Sequence, residues 1–110
     1  MNSVNLVGNL TKDPKFFEQE DKSFIAKFSI ATEYGYDAEK KENRVEFVPI
    51  TAFGVSAAFM PYLKMGRKVS VIGRVGNDSY TDKEGKKVYN TTVKVSNGSL
   101  KLVDSPKKEE

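Results

Sequence analysis

Cysteine, histidine and tryptophan are all absent from this sequence of 110 residues. Without cysteine there can be no disulfide, thiolate metal site or thiol nucleophile, which is compatible with a reducing cytoplasm. Without histidine the commonest general base and the commonest metal ligand are missing as well. Long apolar runs are lacking too: no window approaches the roughly 18 residues that a membrane-spanning helix needs. The start, Met1-Asn2-Ser3-Val4-Asn5, has neither the basic region nor the apolar run of a secretory signal. Scattered glycines form no phosphate-cradling loop of the G-x-x-x-x-G-K type. Carboxylates are plentiful, but Glu18-Gln19-Glu20-Asp21 and Glu39-Lys40-Lys41-Glu42 are polar, charge-rich stretches that read as solvated surface. Paired-carboxylate catalysis has little to stand on. The expectation is a protein that is not an enzyme and that needs no cofactor and no metal.

What is present reads as one domain of ordinary composition, 38% hydrophobic and 30% charged. A net charge of +3 is a mild basic bias, weak evidence for a polyanionic partner until the charges are placed on a face. Period-two alternation predicts strands at Val4 to Leu10, Phe24 to Ala31, Arg44 to Gly54, Lys68 to Val75 and Tyr89 to Val95. Gly8 is expected to mark a bulge in the first of these. Thr11-Lys12-Asp13-Pro14 reads as a turn, and Tyr34 to Asn43 as a long exposed hairpin loop. Ala57, Ala58, Met60, Leu63 and Met65 suit a short helix, with Pro61 awkward inside it and Gly66 as its stop. Gly85 can take the positive φ of a hairpin tip. Five strands with one helix between the third and fourth is the layout of an all-β, five-stranded Greek-key barrel, the OB-fold. Residues 1–104 would form this domain and 105–110 a short charged tail. Phe16, Phe17, Phe24, Phe28 and Phe59 are assigned to packing.

The third strand is the most informative. Val48, Ile50 and Ala52 face a core, which leaves Phe47, Pro49, Thr51 and Phe53 facing outward. Pro49 cannot donate a ladder hydrogen bond, so the strand is an edge there or locally bulged. Two phenylalanines on a solvent face invite a reason: unpaired nucleobases are one, a subunit interface another. Tyr36, Tyr34 (which could take the place of Tyr36 in its loop) and Tyr80 add further aromatic rings. Strand parity sets Lys27, Arg74 and Lys94 around them, with Lys83, Lys86 and Lys87 at the last hairpin tip. Sequence-tolerant binding of a nucleic-acid single strand needs this pairing, since cations follow phosphates while rings stack on bases at about 1–3 kcal/mol per base. A protein-interaction module with exposed aromatics is the alternative from another class. RNA is another possible ligand, because stacking does not distinguish the sugar.

These residues also carry a resemblance. Asn5-Leu6-Val7-Gly8-Asn9-Leu10-Thr11-Lys12-Asp13-Pro14, Ile30-Ala31-Thr32, Glu46-Phe47, Tyr62-Leu63-Lys64-Met65-Gly66 and Ser79-Tyr80-Thr81-Asp82-Lys83-Glu84-Gly85 follow one another as in the bacterial and phage single-stranded DNA-binding proteins. The resemblance implies an OB-fold homo-oligomer, a tetramer in the family with a dimer possible, that binds single-stranded DNA in support of replication, recombination or repair. It implies a cytoplasmic location in a bacterium or in a phage's host. By position, Tyr36, Phe47, Phe53 and Tyr80 resemble the family's base-stacking rings, and the first, second and fourth stand where the family often has tryptophan. Cellular members usually end in a long segment with an acidic, aromatic tip. Lys107-Lys108-Glu109-Glu110 is not similar to it, so a shortened chain or a phage or plasmid version is expected.

Overall fold

The computed structural model describes residues 1–103, with Asn97 and Gly98 described by their backbone alone. Six strands run in order: β1 Val4–Leu10, β2 Lys15–Glu18, β3 Phe24–Asp37, β4 Glu42–Val55, β5 Lys68–Thr81 and β6 Lys87–Leu102. Neighbouring strands follow the order β1-β5-β6-β4-β3-β2, and β1 also pairs with β3. The ring β1-β5-β6-β4-β3 therefore returns on itself, as the expected five-stranded barrel should. Every pairing is antiparallel except β4 with β6. Two seams are narrow: Asn9↔Ala31 and Leu10↔Ile30 join β1 to β3, and Ile50↔Val93, Thr51↔Lys94 and Ala52↔Val95 join β4 to β6.

The core follows from the alternation. Leu10, Ile30, Ile50, Val69, Val71 and Val95 point into the barrel and are almost fully buried, each contributing about 1.5–3 kcal/mol through removal from water. Leu63, from the connection between β4 and β5, joins the same cluster. Gly8 is not a bulge, because β1 pairs with β5 without interruption from Val4↔Gly73 to Asn9↔Lys68. Its reason is close approach: a Cβ there would lie 2.6 Å from the carbonyl oxygen of Ala31. Only glycine lets β1 cross β3 at this seam.

Three further expectations are corrected and one is narrowed. A sixth strand, β2, lies along β3 through Lys15↔Lys27 to Glu18↔Phe24; four residues are too few for alternation to reveal it. Tyr34 to Asn43 is not a loop. β3 continues to Asp37 and β4 begins at Glu42, so only residues 38–41 turn, held by the Asp37 carboxylate accepting from the amides of Glu39 and Lys40. Polar residues on both faces of this ribbon hide its period. The expected helix is a single 3-10 turn, Met60–Tyr62, carried by bonds from Tyr62 N to Phe59 O and from Leu63 N to Met60 O. Pro61 has no N–H with which to extend it. Pro49, lastly, meets the first of its two expected settings, an edge and not a bulge: its register opposite Ser29 is unbroken. Ser29 turns its carbonyl away from β4, to Thr11 N, so the missing N–H of Pro49 faces β6, where pairing starts only at Ile50. No ladder bond is lost.

The expected tail, residues 105–110, lies outside the described residues. Within them no helix is long and apolar enough to cross a membrane. Between β2 and β3 the Asp21 carboxylate accepts from the hydroxyl and amide of Ser23, which hold its pKa below the usual value. A depressed carboxylate stabilises this turn at neutral pH and stops doing so as pH falls through that lowered pKa.

Candidate nucleic-acid interface

Two hairpin arms extend from the barrel. Past Thr32↔Glu46, β3 and β4 pair only with each other, and with no third layer both faces meet water. Phe47 opposite Ala31, Val45 opposite Glu33 and Tyr36 opposite Asn43 share the outward face. Tyr34 falls at the register shift between Glu33 and Gly35, which is why strand parity cannot place it. Phe47 is 68% exposed, and Tyr34 and Tyr36 are each 60% exposed. Phe53 lies six residues beyond Phe47 on the same side of β4, about 20 Å at strand rise, and is 38% exposed. The second arm comprises the far ends of β5 and β6, from Asn77↔Thr91 to Thr81↔Lys87. Tyr80 is exposed on it.

Phe53 and Tyr80 border two grooves. One, of about 560 Å³, is lined by residues including Lys12, Lys15, Lys27, Pro49, Asp78 and Tyr80. The other, of about 250 Å³, is lined by Asn2, Phe53, Gly73, Arg74, Lys94 and Ser96. Arg74 and Lys94 face one another across β5 and β6. Both cross Gly76, where a Cβ would come 3.0 Å from Lys94 Cε and 3.2 Å from an Arg74 guanidinium nitrogen. Asn2 fixes this edge: its side-chain amide donates to Val75 O and accepts from Val75 N, both at 2.8 Å.

Asp78 divides the grooves. Its Oδ2 lies 3.7 Å from Lys27 Nζ and its Oδ1 3.8 Å from Lys94 Nζ. Thr51 does leave the core side of β4 as read from the sequence, but it is not open to solvent; it is 3% exposed. Its hydroxyl donates to Asp78 Oδ2 at 3.3 Å and lies 3.1 Å from Thr92 Oγ1. Thr92 in turn donates to Pro49 O. An arm laid against the barrel covers Thr51, and no local pattern reveals that.

The structure thus brings Phe53, Arg74 and Lys94 together on one groove and Lys27 with Tyr80 on the other. Tyr34 and Tyr36 stand on the first arm and Phe47 at its base, opposite Ala31. At the tip of the second, Asp82 accepts from the amides of Glu84 and Lys86 and Gly85 takes a φ of +81°, leaving Lys83, Lys86 and Lys87 exposed. Lys87 does not join Tyr80. Alternation sets it on the reverse face with Tyr89, its Nζ 5.5 Å from that ring's centroid. Three residues were missed. Lys12 and Lys15 line the larger groove, and Phe17, assigned to packing, is 46% exposed with Lys27 Nζ 5.6 Å from its ring centroid. Strand β2 explains Lys15 and Phe17, and Lys12 lies in the turn that leads into it. Phe16 turns inward against Phe24, edge-on at 6.5 Å between centroids, so Phe17 must turn outward. The pair of adjacent phenylalanines was the available signal.

Residues 1–101 match the model of the single-strand binding protein family. Among curated relatives, a single-stranded DNA-binding protein of Wolinella succinogenes is 36% identical over 94% of this chain and 65% of its own length. One of Clostridium perfringens is 32% identical over 96% of this chain and 67% of its own length, and one of Staphylococcus epidermidis is 30% identical over 96% and 84%. The chain thus spans about two thirds of the length of the first two. Among solved structures, a Plasmodium falciparum SSB in complex with ssDNA superposes with a TM-score of 0.74 at 20% identity, covering 94% of this chain and 96% of that one. That likeness establishes the OB-fold. With the family model matched from the first residue through nearly the whole of β6, the chain belongs to the single-strand binding protein family.

Proposed function

We propose that the chain binds single-stranded DNA, without catalysis, along the outward face of β4 and the two arms that flank it. The observation that carries this reading is one surface on which exposed rings alternate with cations: Tyr36 on the first arm and Phe47 at its base, Phe53 with Arg74 and Lys94, then Lys27 and Tyr80. The rings stack on bases whatever the sequence, and the cations neutralise phosphates. Tyr34 at its register shift and Phe17 beside Lys27 extend the platform, and Lys83 and Lys86 extend the cationic path. Lys87, on the reverse face, is the weakest of the phosphate candidates. Val7 and Ile72, exposed on the outward face of β1 and β5, offer an apolar surface for self-association. A homo-oligomer acting in replication, recombination or repair in a bacterial or phage-infected cytoplasm fits this reading, and a mass measurement in solution tests the oligomer.

Titration with labelled oligo(dT) at several salt concentrations tests binding. Affinity is expected to fall with salt at a log–log slope of about −0.7 per phosphate contacted; salt-insensitive binding, or equal preference for duplex, overturns the reading. Better binding to oligo(U) would reassign the ligand to RNA. Phe47→Ala is expected to weaken oligo(dT) binding by about 1–3 kcal/mol with little change in melting temperature. Loss of folding or of oligomer state would make Phe47 a packing residue.

A further inference from the structure

We propose that Asp78 is an internal stand-in for a phosphate, holding Lys27 and Lys94 across the divide between the two grooves until a DNA phosphate takes its place. This rests on the reading of that face as the path of the strand. Asp78 is the one carboxylate among the residues that line the larger groove beside Asp13, which is committed to the amide of Met65 at 2.8 Å. Its two oxygens are divided between two ammonium groups, Lys27 from β3 and Lys94 from β6, and Thr51 adds a hydroxyl donor from β4 between them. Two lysines and a hydroxyl converging on one anionic group is the donor set of a phosphate site. The hold is loose. Both separations exceed the roughly 2.7–2.9 Å of a charge-assisted hydrogen bond; the Lys27 and Asp78 side chains are 49% and 32% exposed, so screening by water weakens that pair, whereas Lys94, 21% exposed, is more enclosed.

Two consequences follow. A carboxylate in the path of a polyanion repels it, so the groove binds more weakly than its cations would allow. The carboxylate also offsets one of the two ammonium charges, so the unmodified groove neutralises fewer phosphates, and releases fewer of the DNA's counterions, than its lysines alone would. Because Asp78 belongs to the β5–β6 arm while Lys27 and Thr51 belong to the barrel, the exchange also releases one link between arm and barrel.

The test compares the unmodified chain with Asp78→Asn by titration with labelled oligo(dT) between about 50 and 200 mM salt. At the low end the variant is expected to bind about 3- to 10-fold more tightly, the scale set by removing one unit charge about 4 Å from a phosphate in water. Its log–log salt slope should steepen by about 0.7 for each further phosphate neutralised once the carboxylate is gone. Equal or weaker binding by the variant with an unchanged slope overturns the inference and leaves the reading of the face intact. No binding by either chain overturns both. A second measurement needs no variant: in the unmodified chain the side-chain carboxyl carbon resonance of Asp78 should shift on saturation with oligo(dT), and a resonance that stays in place also overturns the inference.

Discussion

The barrel and its two arms are built from the same strands yet obey different rules. In the barrel, alternation divides β3 into buried Ala26, Phe28 and Ile30 and outward Lys27 and Ser29. A few residues further along the same strand, Tyr34 and Tyr36 are both exposed, because the arm is a two-stranded ribbon with nothing packed on either side. A ribbon that buries no face cannot draw its stability from the hydrophobic effect; it is held by the ladder, by its turn and by the barrel from which it extends. The comparison teaches that an aromatic ring turned into the barrel, as Phe28 is, stabilises the fold, whereas one turned outward, on an arm or on the barrel's outer face as Phe53 is, is left available for a ligand. Asp78 sits where the two regimes meet, part of an arm but bound to the barrel.

The largest effect that sharpens this contrast is expected inside. Ile30→Ala, at a position with no exposure, should cost about 2–5 kcal/mol of stability, read as a drop in denaturant midpoint. A loss no greater than that of an arm variant would break the distinction. Next comes a contrast within one arm. Tyr80→Ala should weaken oligo(dT) binding by about 1–3 kcal/mol, whereas Tyr89→Ala, on the reverse face with Lys87, should leave the affinity unchanged. Equal losses would mean that both faces of the arm meet the strand. The smallest effect is at the tip: Lys86→Gln should flatten the log–log salt slope by about 0.7 if that lysine meets a phosphate, at constant melting temperature. An unmoved slope would confine the interface to the barrel side of Tyr80.

Much of this was legible in the residues. Val48, Ile50 and Ala52 set against Phe47 and Phe53 gave both the core face and the ring-bearing face of β4. The motifs around Asn5–Pro14 and Ser79–Gly85 carried the family. Other features resisted reading, each for a physical reason. The four residues of β2 are shorter than any period they could display, so Phe17 and Lys15 stayed out of the site. The β3–β4 arm is polar on both faces, so its pairing hid behind a loop-like composition. Gly8 looked like a bulge because a glycine needed for space and one needed for a kink read alike in one chain.

The sequence by itself determined the class of fold, the inward set of aliphatic side chains and the stock of rings and cations, since alternation along a strand is a local property that packing can exploit but not alter. Only the tertiary structure decided which of those groups share a surface. Pairing partners and the lie of an arm against the barrel depend on contacts between residues far apart in the chain, and it is such contacts that bring Asp78 to Lys27, cover Thr51 and turn Lys87 away.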